Sequence, residues 1–172
     1  MNSIFTSSKT GEWSTPEWLF KQLDDEFHFQ LDVACTVKNQ KCKDGWGLDN
    51  TVFGFKSHYH INAINKQWHG WIDECRRPIT QIWCNPPYHN LEKWINHGYE
   101  ASLYGCTVVF LLPTTKTDQR WWHEIIIPNA AEIRFIEGRV KFGGAPNAAP
   151  FPSVVVIFKP DKDDWNVGSI RK

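Results

Sequence analysis

Two hydrophobic periods alternate along the chain. Ahead of Glu17, the run Ser14-Thr15-Pro16-Glu17 offers a hydroxyl cap, a proline for a first turn and an acid near the positive end of a helix. Trp18, Leu19, Gln22 and Leu23 then recur at helical spacing, which predicts a helix to about Phe27. Leu91 to Leu103 repeats the pattern with apolar residues at 91, 94, 95, 99 and 103, closed by Gly105. A third helix is expected from a cap at Thr117 or Asp118 through about Ile126, stopped by Pro128. Between these stretches lie short apolar or β-branched runs that read as strands, at 29–34, 79–84, 106–112, 132–136 and 153–158. Residues 36–78 carry the weakest pattern: Lys41 to Asn50 reads as loop, and Thr51 to Phe55 and Trp68 to Ile72 as weak strands. Strands alternating with helices predict an α/β domain with a largely parallel sheet flanked by helices. Ligands bind such sheets at the carboxyl ends of the strands, where Asp32 and Asn85 to Tyr88 are expected.

A length of 172 residues suits one domain, with a core over about 12–159 and polar tails at 1–10 and 160–172. The longest apolar run, Cys106 to Leu112, is too short to span a bilayer, and the polar N-terminus lacks a signal-peptide core. A cytoplasmic protein without membrane association is the expectation. Five cysteines without a CxxC pair read as free, mostly buried thiols. His58, His60 and Cys42 match no standard zinc spacing, so no metal is expected. Nineteen basic residues balance nineteen acidic ones, so any contact with a polyanion must come from local clusters. The candidates are Arg76 with Arg77, Lys116 with Arg120, and Arg134 with Arg139 and Lys141. Ten tryptophans suit packing for the most part, with base stacking a second use.

Asn85-Pro86-Pro87-Tyr88 is the most informative stretch. Two prolines give a rigid turn that lacks two backbone donors and leaves its carbonyls available. The Asn85 side-chain oxygen and the Pro86 carbonyl can each accept a hydrogen from an exocyclic amine, favouring a tetrahedral nitrogen whose lone pair is localised. The ring of Tyr88 can stack on the base, a role that needs the ring and not the hydroxyl. The same group logic serves adenine N6, cytosine N4 and a glutamine amide. Methylation at cytosine C5 is disfavoured, because that chemistry uses a Pro-Cys nucleophile and the chain has no such dipeptide.

A series of ordered blocks resembles the phage-type DNA N6-adenine methyltransferases, the phage Dam family, over roughly residues 12–159. Trp13-Ser14-Thr15-Pro16 resembles its W-x-T-P opening, and Phe27 to Cys35 its F-x-F-x-L-D-V-C-A segment, followed by matching Asn39 and Cys42. Ile82 to Tyr88 resembles the W-x-N-P-P-Y core and Gly105 to Pro113 the G-x-T-V-V-x-L-L-P strand. Gly138-Arg139-Val140-Lys141-Phe142 and Ala149-Pro150-Phe151-Pro152-Ser153 resemble the closing G-R-x-K-F and A-P-F-x-S blocks. The resemblance implies a compact Rossmann-like methyltransferase domain that moves a methyl group from S-adenosylmethionine to adenine N6 in double-stranded DNA, with the target adenine flipped out. It assigns cofactor contacts to Trp13, Thr15, Pro16, Asp32, Ala34 and Asn85, and catalysis to Asn85, Pro86, Pro87 and Tyr88. DNA contacts are expected from Arg139, Lys141, Lys116 and Arg120. It further implies a phage- or prophage-encoded enzyme, and leaves monomer or homodimer open.

The chain also departs from relatives of this kind. The glycine-rich F-x-G-x-G loop of many methyltransferases is replaced by Cys35-Thr36-Val37, and Asn62-Ala63-Ile64 stands where the family often has Asp-Gly-Leu. No target-recognition domain of usual size fits within this length. The alternatives are another methylated amine (cytosine N4, RNA adenine, protein glutamine), or a catalytically weak DNA- or cofactor-binding accessory or anti-restriction protein.

Overall fold

The computed structural model describes residues 14–36, 38–47, 52–53, 63–73, 75–143, 145–161 and 166–172. Trp13, Asn62, His58 and His60 lie outside these residues. Helix α1 (Glu17–Phe27) leads into β1 (Leu31–Cys35), β2 (Asp44–Gly47) and β3 (Val52–Phe53). After β4 (Gln81–Cys84) come α2 (Leu91–Leu103) and β5 (Thr107–Pro113). A π-helical turn at Trp122–Ile126 runs into the short α3 (Ile127–Asn129), followed by β6 (Glu132–Ile136), β7 (Ser153–Phe158) and β8 (Asn166–Ile170). The strands form one eight-stranded sheet in the order β3-β2-β1-β4-β5-β7-β6-β8. The β2, β1, β4 and β5 strands run parallel, as do β6 and β8, whereas β7 and β3 are antiparallel to their neighbours. The expected α/β architecture with a largely parallel sheet is therefore present.

Side-chain alternation explains the layers. In β5, Val108, Phe110 and Leu112 face one side of the sheet, and Val109 and Leu111 face the other. The first side packs against Leu91, Trp94 and Ile95 of α2 and against Trp121, Trp122 and Ile126. The second packs against Leu19, Phe20, Leu23 and Phe27 of α1 and against Val140, Phe142 and Phe151. A fully buried leucine or phenylalanine contributes about 1.5–3 kcal/mol relative to exposure, so each helix is fixed mainly by its apolar stripe. Gly98 lets α2 approach the sheet: a Cβ there would lie 2.3 Å from the Phe110 ring. On the α1 side, Arg134 makes two bonds to the Glu26 carboxylate at 2.6 and 2.7 Å and pairs with Glu132, tying α1 to β6.

The structure departs from the sequence expectations in several places. Asp44–Gly47, expected as loop, is a strand parallel to β1. Trp68 to Ile72 is not a strand; Trp68 is fully buried, and Ile72 makes one isolated bridge to Pro78. The helix expected to stop before Pro128 instead runs through it to Asn129, directly after the π-helical turn at Trp122–Ile126. The tail beyond residue 159 includes β8, which pairs with β6 and buries Ile170. Four of the free cysteines are buried and Cys75 is exposed. No helix among the described residues is long and apolar enough to cross a membrane.

Candidate active site

The carboxyl ends of β1, β4 and β5 share one edge of the sheet, and antiparallel β7 begins there, with Pro113 paired to Ser153. Strand β4 ends at Cys84, so Asn85-Pro86-Pro87-Tyr88 leaves the sheet at this edge. The following turn reaches α2 through Asn90, whose left-handed backbone (φ 57°) asparagine tolerates. The Asn85 amide Nδ2 donates to Thr15 Oγ1 at 3.1 Å. That bond turns Oδ1 away from Thr15 and fixes the side chain, with Oδ1 shut off from solvent. Sequence had also offered Thr15 as a helix cap. The structure puts Pro16 at the N-cap, with no side-chain cap bond, and leaves the Thr15 hydroxyl to Asn85.

Asp32 lies within β1, in register with Trp83, rather than at the strand end where it was expected. It is 3% exposed, and its carboxylate accepts N–H bonds from Ala34 at 3.2 Å and Lys41 at 3.1 Å. Burial raises its pKa from the ordinary carboxylate value to about 7; the two N–H bonds and the Lys41 charge oppose the rise without cancelling it. Thr15, Asp32, Ala34 and Asn85 line one cleft, so four of the expected cofactor residues are brought together. Pro16, the N-cap of α1, follows Thr15 in the chain and is not among the residues that line the cleft.

Sequence reasoning gave no site role to Ser14, Asn39, Lys41 and Trp83, which share the cleft. The loop that replaces the glycine-rich segment is held by side chains: Asn39 Oδ1 accepts from the Thr36 N–H at 2.5 Å and from its hydroxyl at 3.0 Å. Lys41 Nζ pairs with Glu17 at 2.8 Å, joining this loop to the first turn of α1. Asn39 was detectable as a matching position, but Trp83 read only as a strand residue. The Ser14 carbonyl accepts the Gly143 N–H at 2.7 Å, which stitches the 139–143 segment to the cleft.

Tyr88 packs edge-on against Phe151, with ring centroids 5.4 Å apart. Its hydroxyl is buried, and burial pushes the phenol well above its usual pKa. The basic candidates separate. Lys116, Arg139 and Lys141 are exposed on segments that leave the carboxyl edge after β5 and β6; among the described residues, Arg139 makes only a long 3.4 Å contact to the Ala149 carbonyl. Arg120 is exposed and pairs with Glu124 at 2.7 Å. Arg134, grouped with Arg139 from sequence, is instead committed to Glu26 and Glu132. Arg76 and Arg77 precede β4 and so sit toward the amino edge of the sheet, with Arg77 paired to Asp73.

A family model described as DNA N-6-adenine-methyltransferase (Dam) matches residues 2–171. A DNA N-6-adenine-methyltransferase of Haemophilus phage HP1 is 26% identical over 157 residues, covering 86% of this chain and 78% of the phage protein. One of Escherichia phage T1 is 24% identical over 126 residues, covering 73% of this chain and 44% of the relative. A crystal structure from Listeria monocytogenes, described as a class I S-adenosylmethionine-dependent methyltransferase, aligns with a TM-score of 0.48 at 11% identity, over 89% of this chain and 62% of that one.

Proposed function

The chain belongs to the DNA N-6-adenine-methyltransferase (Dam) family, and from that premise we propose how its cleft methylates adenine N6 in DNA. S-adenosylmethionine is the methyl donor, held in the cleft lined by Thr15, Asp32, Ala34 and Asn85. The donor set fits this group. The Asp32 carboxylate suits an ammonium or ribose hydroxyl, and the Thr15 hydroxyl with the start of α1 suits a carboxylate. Trp13, next along the chain, is assigned to the same site. When bound, the cofactor supplies a sulfonium methyl that is already activated.

The chain's own work is to present the amine. Asn85 Oδ1 and the Pro86 carbonyl accept the two N6 hydrogens, which draws the nitrogen lone pair out of the ring. Pro87 keeps the turn rigid, and the Tyr88 ring stacks on the base. A duplex hides N6 within the base stack, so the target adenine is extruded to reach this corner. The exposed cations Arg139, Lys141 and Lys116 hold the phosphates, with Arg120 joining them at the same edge. No strong base is needed, because the product's extra proton passes to solvent. The phage relatives support a phage- or prophage-encoded enzyme that acts on DNA in a bacterial cytoplasm.

The bond from Asn85 to Thr15 carries this reading, since it couples the amine-binding residue to the cofactor cleft. Single-turnover methylation of unmethylated DNA tests it. Asn85→Ala should lose at least about a hundredfold in rate, as when one preorganised polar contact is removed at a reacting centre. Asn85→Asp, which keeps an acceptor oxygen, should retain measurable activity. A near-normal rate for Asn85→Ala would reduce the motif to a structural turn.

A further inference from the structure

Ser153 opens β7 opposite Pro113, at the edge where Asn85 to Tyr88 leaves the sheet. Val155 and Ile157 place the odd-numbered positions of this strand on the α1 side, which is also the side of Asp32, Trp83 and the Asn85–Thr15 bond. Ser153 therefore faces the cleft side of the sheet. It is 1% exposed, and its Oγ has no hydrogen-bond partner among the described residues. The Tyr88 hydroxyl is in the same condition, and the Tyr88 ring packs on Phe151, two residues before Ser153. Alanine and phenylalanine would fill these positions without stranding a buried hydroxyl, so packing alone does not account for Ser153 and Tyr88.

Resting on the proposal that this corner takes the flipped adenine, we infer that the Ser153 hydroxyl donates a hydrogen bond to a ring nitrogen of that base. The turn itself offers only acceptors, the Asn85 oxygen and the Pro86 carbonyl, and these match the N6 hydrogens. Adenine's ring nitrogens are acceptors and need donors. A hydroxyl is a neutral donor that rotates to meet them. The Ser153 hydroxyl thus favours a heteroaromatic amine, whose ring presents acceptors beside its amino group.

The test compares wild type, Ser153→Ala and Ser153→Cys, which keeps the volume but is a poor donor, on unmethylated bacterial DNA at saturating S-adenosylmethionine. Three readouts are taken: single-turnover rate, cofactor dissociation constant and thermal unfolding midpoint. Each variant should lose roughly tenfold or more in rate, the cost of a lost hydrogen bond to the reacting base. The cofactor constant should stay within about twofold, and the midpoint should hold or rise, because an unpaired buried hydroxyl has been removed. Rates within about twofold of wild type would overturn the inference, as would a slower rate accompanied by a lower midpoint, which marks a packing role. If wild type itself leaves adenine unmethylated, the base-site reading fails first; active wild type with unaffected variants defeats only this inference.

Discussion

Asp32 and Tyr88 belong to the same cleft side of one sheet, yet their buried polar atoms are treated in opposite ways. The Asp32 carboxylate receives two backbone N–H groups, and nearby Asn39 is bonded to Thr36 and Asn85 to Thr15. Around Tyr88 and Ser153, two hydroxyls stay without partners among the described residues. The Asp32 side is tied down by the protein's own bonds, whereas the Tyr88 and Ser153 side leaves its hydroxyls unused. Under the proposed function, that contrast suits a base whose ring acceptors arrive only after it leaves its duplex.

The comparison can be broken most sharply at Asp32. Asp32→Asn should weaken S-adenosylmethionine by about 1.5–3 kcal/mol, roughly ten- to a hundredfold, measured by calorimetric titration. An unchanged constant would remove Asp32 from the site. The pH dependence carries a second sign. Because the folded pKa, about 7, lies above the unfolded value, the contribution of Asp32 to apo-protein stability is full below about pH 4 and declines as pH rises toward 7. The loss is on the order of a few kcal/mol. Asp32→Asn should flatten that decline, while wild-type cofactor affinity should strengthen from pH 6 to 8 as the carboxylate ionises. A wild-type stability curve no steeper than that of the variant would show Asp32 to be ionised already.

Smaller effects separate two arginines five positions apart. Arg134→Ala should cost about 2 kcal/mol of stability in denaturant titrations, through the loss of charged bonds to Glu26 and Glu132, with little change in the salt slope of DNA binding. Arg139→Ala should leave stability alone, weaken DNA binding and flatten the log–log salt slope by about 0.9, one phosphate's worth. Equal effects on the salt slope would erase the distinction drawn from their partners.

These two arginines also show what a sequence can carry. Arg134 and Arg139 look alike in one basic cluster; only the tertiary approach of Glu26, far away in the chain, sets them apart. The bounds of α2 were legible because its apolar residues keep a helical period, and those of β6 and β7 because each is a short run rich in β-branched and apolar residues. Strand β2 was not, because Asp-Gly-Trp-Gly has weak strand propensity and forms by pairing with the edge of β1. Strand β8 escaped notice because only Ile170 of its five residues is buried. In the site, Asn85 to Tyr88 was readable as chemistry at a strand end, whereas Asp32, expected at one, lies within β1. Lys41 and Trp83 reach the cleft through loop closure and strand register, which no local pattern records.

The central claim is that this cleft delivers a methyl group to adenine N6. Incubating the protein with labelled S-adenosylmethionine and unmethylated DNA, then analysing the digested nucleosides by mass spectrometry, tests it directly. The account predicts labelled N6-methyladenine, lost in Asn85→Ala. Label found only in N4-methylcytosine, or on protein with the DNA unmodified, would contradict it.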